Sequence, residues 1–213
     1  MESHTTQDAP IAAIVLAAGL SQRMGKFKPL LPFGNQTVIE HTINYLRAGG
    51  VHSIVVVAGH REDEIRNLLK NQEVIFVVNP RPESAMGDSI KLGVQTAPES
   101  TAAFLIAPVD HPAVPSDVVL KLIENWRAGN SLIIPTWNNR GGHPVLVDSS
   151  FRDALLGLGA GGLRAFFTAH EREVLRLPVS TPYVVRDMDT WDDYVRLHES
   201  FFGSPPKEQA SRL

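Results

Sequence analysis

The chain has 213 residues, no cysteine and a formal net charge of -3. This length suits one α/β domain, and the absence of cysteine excludes disulfides, thiolate metal sites and cysteine nucleophiles. No basic block is present and the longest apolar runs have the length of strands, so we expect neither a nucleic-acid partner nor a membrane span. Residues 1–10 are polar and lack the apolar stretch of a secretory signal, which favours a cytoplasmic protein.

The first part of the chain alternates four times between apolar strands and amphipathic helices. We predict strands over residues 11–18, 53–58, 74–78 and 103–107. We predict helices between a Thr37 capping box and Gly49, over residues 62–69, over residues 88–96, and from Pro115 onward. This rhythm predicts an α/β fold, a doubly wound and mostly parallel sheet with helices on both faces.

Beyond residue 132 the pattern is less regular. We predict short strands near residues 132–135, 143–147 and 174–177, and helices around residues 149–156, 163–170 and 190–201. A single domain over residues 11–202 accounts for these elements. We expect residues 1–10 and the tail 203–213, rich in Pro, Ser and charge, to be disordered.

A small, flexible loop follows the first strand, where doubly wound sheets bind their ligands. Backbone N–H groups near Gly19 are suited to phosphate oxygens, and Arg23, Lys26 and Lys28 supply counter-charge. The loop is neither a Walker A loop nor a GxGxxG fingerprint. From composition alone, an ordinary solvated loop is as good an interpretation.

The order of residues in this loop resembles a known signature. Residues 16–31 read Leu-Ala-Ala-Gly-x-Ser-x-Arg-Met-Gly-x-x-Lys-x-Leu-Leu, which resembles the MobA-like nucleotidyltransferases of molybdenum-cofactor biosynthesis, and most closely their cytidylyltransferase branch. The resemblance runs from residue 11 to about residue 197. It implies that the loop wraps a nucleoside triphosphate. The nucleotide contacts that it implies are Leu16, Ala17, Ala18, Gly19, Arg23, Lys28, Gly87 and Ser89.

Three later segments resemble the same family in the same order. Residues 85–90 match the stretch that receives the base, although a Gly-Asp-Ser sequence alone is usually a helix N-cap. Asp110 matches a magnesium ligand, and Pro112 and Pro115 separate it from the next helix, so capping explains it poorly. Asp189 matches a second aspartate on the metal side, with capping of the last helix by Asp189 or Thr190 as the alternative.

Residues 140–145, Arg-Gly-Gly-His-Pro-Val, resemble a segment of the cytidylyltransferase branch. The resemblance implies that Gly142 and His143 line the pocket of the acceptor, whereas a lone histidine is more often only hydrogen-bonded. The 157–164 loop resembles a Gly-Asp-x-Gly-x-Arg element but has Ala160 in the place of the acid.

The resemblance implies a nucleotidyltransferase that moves CMP from CTP to the terminal phosphate of molybdopterin and releases pyrophosphate. The implied catalytic residues are Arg23, Lys28 and Asp110, and the implied Mg²⁺ ligands are Asp110 and Asp189. Because the acceptor phosphate is already anionic, catalysis reduces to positioning and charge neutralisation. A molybdoenzyme client is also implied. The alternatives are a guanylyl- or sugar-phosphate nucleotidyltransferase, or a non-catalytic carrier of a nucleotide or cofactor, against which the two aspartates argue.

Overall fold

The computed structural model describes residues 9–20 and 23–207. The strands are β1 Ile11–Ala17, β2 Pro32–Phe33, β3 Gln36–Thr37, β4 Ser53–Ala58, β5 Ile75–Val78, β6 Ala103–Pro108, β7 Leu132–Trp137, β8 Arg140–Gly141, β9 Val145–Asp148 and β10 Val174–Pro178. The α-helices are α1 Val38–Ala48, α2 Glu62–Leu69, α3 Met86–Thr96, α4 Ser116–Arg127, α5 Arg152–Leu156, α6 Gly162–Ala169 and α7 Trp191–Phe202.

The main sheet has the strand order β10-β7-β9-β6-β1-β4-β5, with β8 beside β7, and β2 and β3 form a separate hairpin. Strands β5, β4, β1 and β6 are parallel to one another. Strand β9 runs antiparallel between β6 and β7, and β10 is parallel to β7. The predicted doubly wound, mostly parallel sheet is therefore confirmed, and the carboxyl ends of its four central strands meet at one edge.

Both faces of the sheet are covered. Along β1 alternate residues enter different cores: Ala13 and Val15 pack with α1, α2, α4 and α7, whereas Ala12 and Ile14 pack with α3, α5 and α6. This alternation follows from the two-residue repeat of a strand. A strand that is buried on both faces reads as a continuous apolar run, which is why β1 was recognisable in the sequence.

Local signals gave most helix ends correctly. The predicted capping box joins Thr37 to Glu40 at the start of α1, and a second joins Thr190 to Asp193 at the start of α7. Helix α3 begins at Met86, two residues before the predicted start, because Ala85 is its extended N-cap. The predicted 149–156 helix is a 3-10 turn, Ser149–Phe151, followed by α5.

Several predictions concern parts of the chain that lie outside the described residues. These are residues 1–8, Ser21, Gln22 and residues 208–213, so disorder at the two ends stays a prediction there. At the start of the tail, His198 Nδ1 lies 2.7 Å from the carbonyl oxygen of Ser204. Within the described ranges, no helix is long and apolar enough to cross a bilayer.

Candidate active site

Three predicted site segments meet at the carboxyl edge of the sheet. The N–H of Val109, just after β6, donates to the carbonyl oxygen of Leu16 in β1 at 3.1 Å. The N–H of Met188 donates to the carbonyl oxygen of Asp110, also at 3.1 Å. These backbone bonds fix Asp110 beside the end of β1 and bring the neighbouring Asp189 to it, across 79 residues of sequence.

Lys28 enters this site from a rigid turn. Gly25 has a φ of +66°, a left-handed conformation that favours glycine. A 3-10 turn, Lys28–Leu30, follows, with Pro29 buried inside it. The loop therefore presents the Lys28 side chain at a fixed position, which explains the order of Gly25, Lys28 and the apolar residues after it.

The ammonium of Lys28 lies between the two aspartates. Its Nζ is 2.8 Å from Asp189 Oδ1 and 3.5 Å from Asp110 Oδ2. Arg23 Nη1 is 2.8 Å from Asp189 Oδ2. The Lys28 side chain is only 12% exposed, whereas that of Arg23 is 75% exposed. Lys28 is thus the inner cation of the site and Arg23 lies at its rim.

Both aspartates are available for this site rather than for helix caps. Thr190 caps α7, accepting from the N–H of Asp193 at 3.1 Å, and α4 begins at Ser116 with Pro115 as its N-cap residue and no side-chain cap. Capping by Asp189 is therefore wrong, whereas capping by Thr190 is confirmed. The hydrogen bond from Lys28 is the main cause that lowers the pKa of Asp189, so this carboxylate is ionised at neutral pH.

The chemistry of the donors fits a magnesium ion that arrives with a nucleotide. Mg²⁺ usually takes one or two protein carboxylates and completes its shell with water and substrate phosphates. Asp110 and Asp189 provide such a pair, since both approach a single ammonium. Among residues 9–20 and 23–207, no group of three or more His, Asp or Glu side chains is placed to hold a metal, so the pair would rely on water and phosphate oxygens for the other ligands.

A cavity of about 180 Å³ opens next to these charges. Lys28 and Asp110, the backbone after β1, and residues of α3 and of the loop before it all contribute to its lining. The lining includes Leu16, Ala17, Ala18, Gly19, Lys28, Asp110, Pro82, Ser84, Met86 and Ser89. Most of the predicted nucleotide contacts thus border one cavity.

Gly87 and Arg23 are the two predicted nucleotide contacts that do not line this cavity. Gly87 is buried, and a β-carbon added to it would lie 3.7 Å from Leu158 Cβ and 3.9 Å from the Gly159 carbonyl oxygen. Its position on α3 is directed at the loop after α5 and leaves room for an alanine. A contact between Gly87 and the nucleotide stays a prediction.

A second, larger cavity of about 440 Å³ lies on the β9–β7–β10 side of the sheet. Its apolar wall is formed by Ile134, Val145, Leu163 and Phe167, and its polar lining includes Gly142, His143, Arg164, Glu171 and Arg176. Neither guanidinium there makes a hydrogen bond or ion pair with a side chain in the described part of the chain. The cavity thus combines an apolar wall with available positive charge.

Gly142 and His143 are held at this cavity by the segment before α7. A β-carbon on Gly142 would lie 2.1 Å from the carbonyl oxygen of Val184, so the position requires glycine. The N–H of His143 donates to that same oxygen at 2.8 Å. The glycine of this motif is therefore explained by packing, and its consequence is the placement of His143.

A histidine pair, which the sequence did not reveal, connects the two regions. The rings of His111 and His143 are 5.1 Å apart, and His111 directly follows Asp110. Both Nδ1 atoms are buried with no hydrogen-bond partner in the described residues. Burial lowers the pKa of His111 and lowers that of His143 to about 4. Both rings are therefore neutral at pH 7.

Two characterised relatives align over nearly their full length. Nicotine blue oxidoreductase from Paenarthrobacter nicotinovorans is 29% identical over 197 residues, which is 88% of this chain and 96% of that protein. Molybdenum cofactor cytidylyltransferase from Escherichia coli (strain K12) is 28% identical over 196 residues, which is 90% of this chain and 97% of that protein. The two names differ in activity, so overall similarity alone does not choose between them.

A solved structure has the same fold. Rv0371c from Mycobacterium tuberculosis H37Rv aligns with a TM-score of 0.80 at 25% identity, over 90% of this chain and 99% of that one. The same protein solved with manganese aligns with a TM-score of 0.74 at 26% identity, with the same coverage of both chains. The fold is thus shared with a solved protein structure.

The family assignment rests on a match over most of the chain. The family model of the MobA-like NTP transferase domain matches residues 13–174, which include most of β1, the loop after it and Asp110. The resemblance first seen in residues 16–31 is thereby confirmed. The chain belongs to the MobA-like NTP transferase family and is a nucleotidyltransferase.

Proposed function

We propose that this enzyme transfers CMP from CTP to the terminal phosphate of molybdopterin and releases pyrophosphate. The observation that carries the proposal is the convergence of Lys28, Asp110 and Asp189 at the edge of the sheet, next to a cavity lined by the backbone after β1. A site with two carboxylates and an inner ammonium suits transfer between phosphates, a reaction that needs no protein nucleophile.

The reaction needs only one displacement. An oxygen of the acceptor phosphate forms a bond to the α-phosphorus of CTP, and the bond from that phosphorus to the oxygen bridging to the β-phosphate breaks. Pyrophosphate leaves with the electron pair. Lys28 and Arg23 neutralise the charge that collects on the triphosphate, and the backbone near Gly19 orients it.

Asp110 and Asp189 would hold Mg²⁺, which neutralises phosphate oxygens when it is bound. Both carboxylates are partly buried, at 25% exposure, so their charge is less screened than that of surface aspartates. The manganese complex of the similar Rv0371c fold supports a divalent cation in this group of proteins.

The larger cavity supports an acceptor with a flat body rather than a simple sugar phosphate. Its apolar wall would cover a fused ring, and its two arginines would attract anionic groups. His143 borders this cavity and contacts His111, which follows Asp110. An acceptor lying in the cavity would therefore extend its phosphate past His143 toward the metal carboxylates.

CTP is favoured by the sequence Ala17-Ala18-Gly19 and by the segment Gly142-His143-Pro144, which resemble the cytidylyl branch. The similarity to the E. coli cytidylyltransferase agrees with this choice. We further propose that the enzyme acts in the cytoplasm, binds no nucleic acid or membrane, and passes its product to a molybdoenzyme client.

The test is product analysis with purified protein, CTP, Mg²⁺ and molybdopterin. The proposal predicts a product whose mass equals that of the acceptor plus CMP, with one pyrophosphate released for each. Parallel reactions contain GTP, or a sugar 1-phosphate in place of molybdopterin. Redox conversion of nicotine blue in a separate reaction, without any pyrophosphate release in the first, would contradict the proposal and favour the activity named for the P. nicotinovorans relative.

A further inference from the structure

Asn79, directly after β5, is buried, with only 5% of its surface exposed, and its side chain contacts Ser84 and Ser89 of the smaller cavity. Its own N–H donates to the carbonyl oxygen of Ala58, the last residue of β4, at 2.7 Å. This backbone bond fixes Asn79 at the carboxyl edge of the sheet, beside the nucleotide cavity.

The hydrogen bonds around Asn79 determine which way its amide faces. The N–H of Arg81 lies 2.9 Å from one terminal atom of the amide. Because a backbone N–H can only donate, this atom must be the oxygen, Oδ1. The nitrogen, Nδ2, therefore faces the two serines, at 3.0 Å from Ser89 Oγ and 3.3 Å from Ser84 Oγ.

The orientation of Asn79 in turn makes both serine hydroxyls hydrogen-bond acceptors toward Asn79, so that their hydrogens point away from it. Each hydroxyl has one hydrogen to donate and two lone pairs, and Asn79 uses one lone pair of each. Neither hydroxyl hydrogen has a protein acceptor among the described residues. Since Ser84 and Ser89 both line the cavity, each presents its O–H as a donor to whatever fills it.

We propose that Asn79 is a positioning residue. It orients the hydroxyls of Ser84 and Ser89 so that the smaller cavity selects a base with two adjacent hydrogen-bond acceptors. The inference rests on the proposed function, because it concerns the base of the nucleotide bound there. Cytosine presents O2 and N3 as neighbouring acceptors, which two hydroxyl donors can meet together. Uracil carries an N–H at position 3, which would oppose a donor.

Asn79→Asp tests this relay, the hydrogen bonds from Asn79 to the two serines, while it keeps the size of the side chain. A carboxylate can only accept hydrogen bonds, so both serines would turn their hydrogens toward residue 79 and their lone pairs toward the cavity. The new carboxylate would accept from Arg81 N–H and from both hydroxyls, which compensates for its burial. Its added negative charge would weaken all triphosphates alike, so a ratio between two nucleotides removes that contribution.

Calorimetry in the presence of Mg²⁺ measures the dissociation constants of CTP, UTP and 3-deaza-CTP. The 3-deaza analogue has C–H in place of N3. The wild type should bind CTP about tenfold or more tightly than the analogue. In Asn79→Asp the ratio should fall to within about threefold, and UTP should approach or overtake CTP. In a Ser84→Ala, Ser89→Ala background, Asn79→Asp should leave the ratio unchanged, since the relay is already absent.

Equal binding of CTP and the analogue by the wild type would overturn the inference, as would a ratio that Asn79→Asp leaves intact. If GTP, measured in the same way, bound more tightly than CTP, the assignment to cytosine would be overturned. Any of these three results, with CMP transfer still observed, would leave the proposed function standing. Failure of CTP to bind at all would remove both.

Discussion

Replacement of Lys28 by alanine is the substitution whose effect the structure defines best. The ammonium is nearly buried and lies 2.8 Å from Asp189 and 3.5 Å from Asp110. It therefore stands between the two carboxylates and at the smaller cavity, which Lys28 also lines. Lys26 belongs to the same loop, but it is exposed and makes no hydrogen bond or ion pair within the described ranges.

The expected magnitude follows from one charge-assisted hydrogen bond to the triphosphate. Such a bond contributes about 1.5–3 kcal/mol, and about 1.4 kcal/mol corresponds to a tenfold change in rate. Lys28→Ala should therefore lower kcat/KM for CTP about ten- to a hundredfold. Lys26→Ala should lower it by less than about twofold, because an exposed charge is screened.

The assay is pyrophosphate release under the same salt for the wild type and the two variants, with Lys28→Met added to retain the apolar stem. Lys28→Ala and Lys28→Met should raise the pKa of Asp189 toward its ordinary value, since Lys28 is the main cause of its depression, whereas Lys26→Ala should leave it unchanged. NMR titration of the carboxyl carbons measures that change. Equal, small losses at Lys26 and Lys28 would refute the reasoning, and a larger loss at Lys26 would mean that the register of the loop is wrong.

Three further predictions concern the metal, the base and acid stability. Asp110→Asn keeps size and removes charge, so the thermal midpoint should hold while kcat/KM falls at least about a hundredfold; near-normal turnover with Mg²⁺ would make Asp110 structural. At equal concentration CTP should turn over about tenfold faster than GTP, and the reverse order would move the enzyme to the guanylyl branch. Burial lowers the pKa of His143 from 6.5 to about 4. Between these pH values the ring is protonated in the unfolded chain but neutral in the folded protein, so the stability of the fold should decrease as the pH drops from about 6.5 toward 4. His143→Gln should flatten the fall in Tm over that range; unchanged slopes would show that this ring does not contribute.

The sequence was sufficient to predict those site residues whose place follows from their position after a strand or a loop. Asp110 follows a buried parallel strand, and Lys28 follows a glycine-rich loop, so both belong to the edge where such sheets bind ligands. The central parallel strands were predictable because burial on both faces makes their sequences continuously apolar.

The remaining features depend on how distant segments pack. Strands β2, β3 and β8 have two residues each, too few for any periodicity to show. Nothing in the local pattern indicates that β9 is inserted antiparallel between β6 and β7. Asn79 could have been noticed as a polar residue after β5, but its bonds to Ser84 and Ser89 depend on the path of the chain into α3.

The central claim is that the α-phosphate of CTP moves to the acceptor, and label transfer tests it most directly. Purified enzyme would be incubated with Mg²⁺, molybdopterin and CTP labelled in either the α- or the γ-phosphate. The account predicts that the α-label appears in the acceptor product and the γ-label in pyrophosphate, and that Asp110→Asn abolishes both transfers. Retention of the α-label in CTP while the acceptor remains unchanged would contradict it.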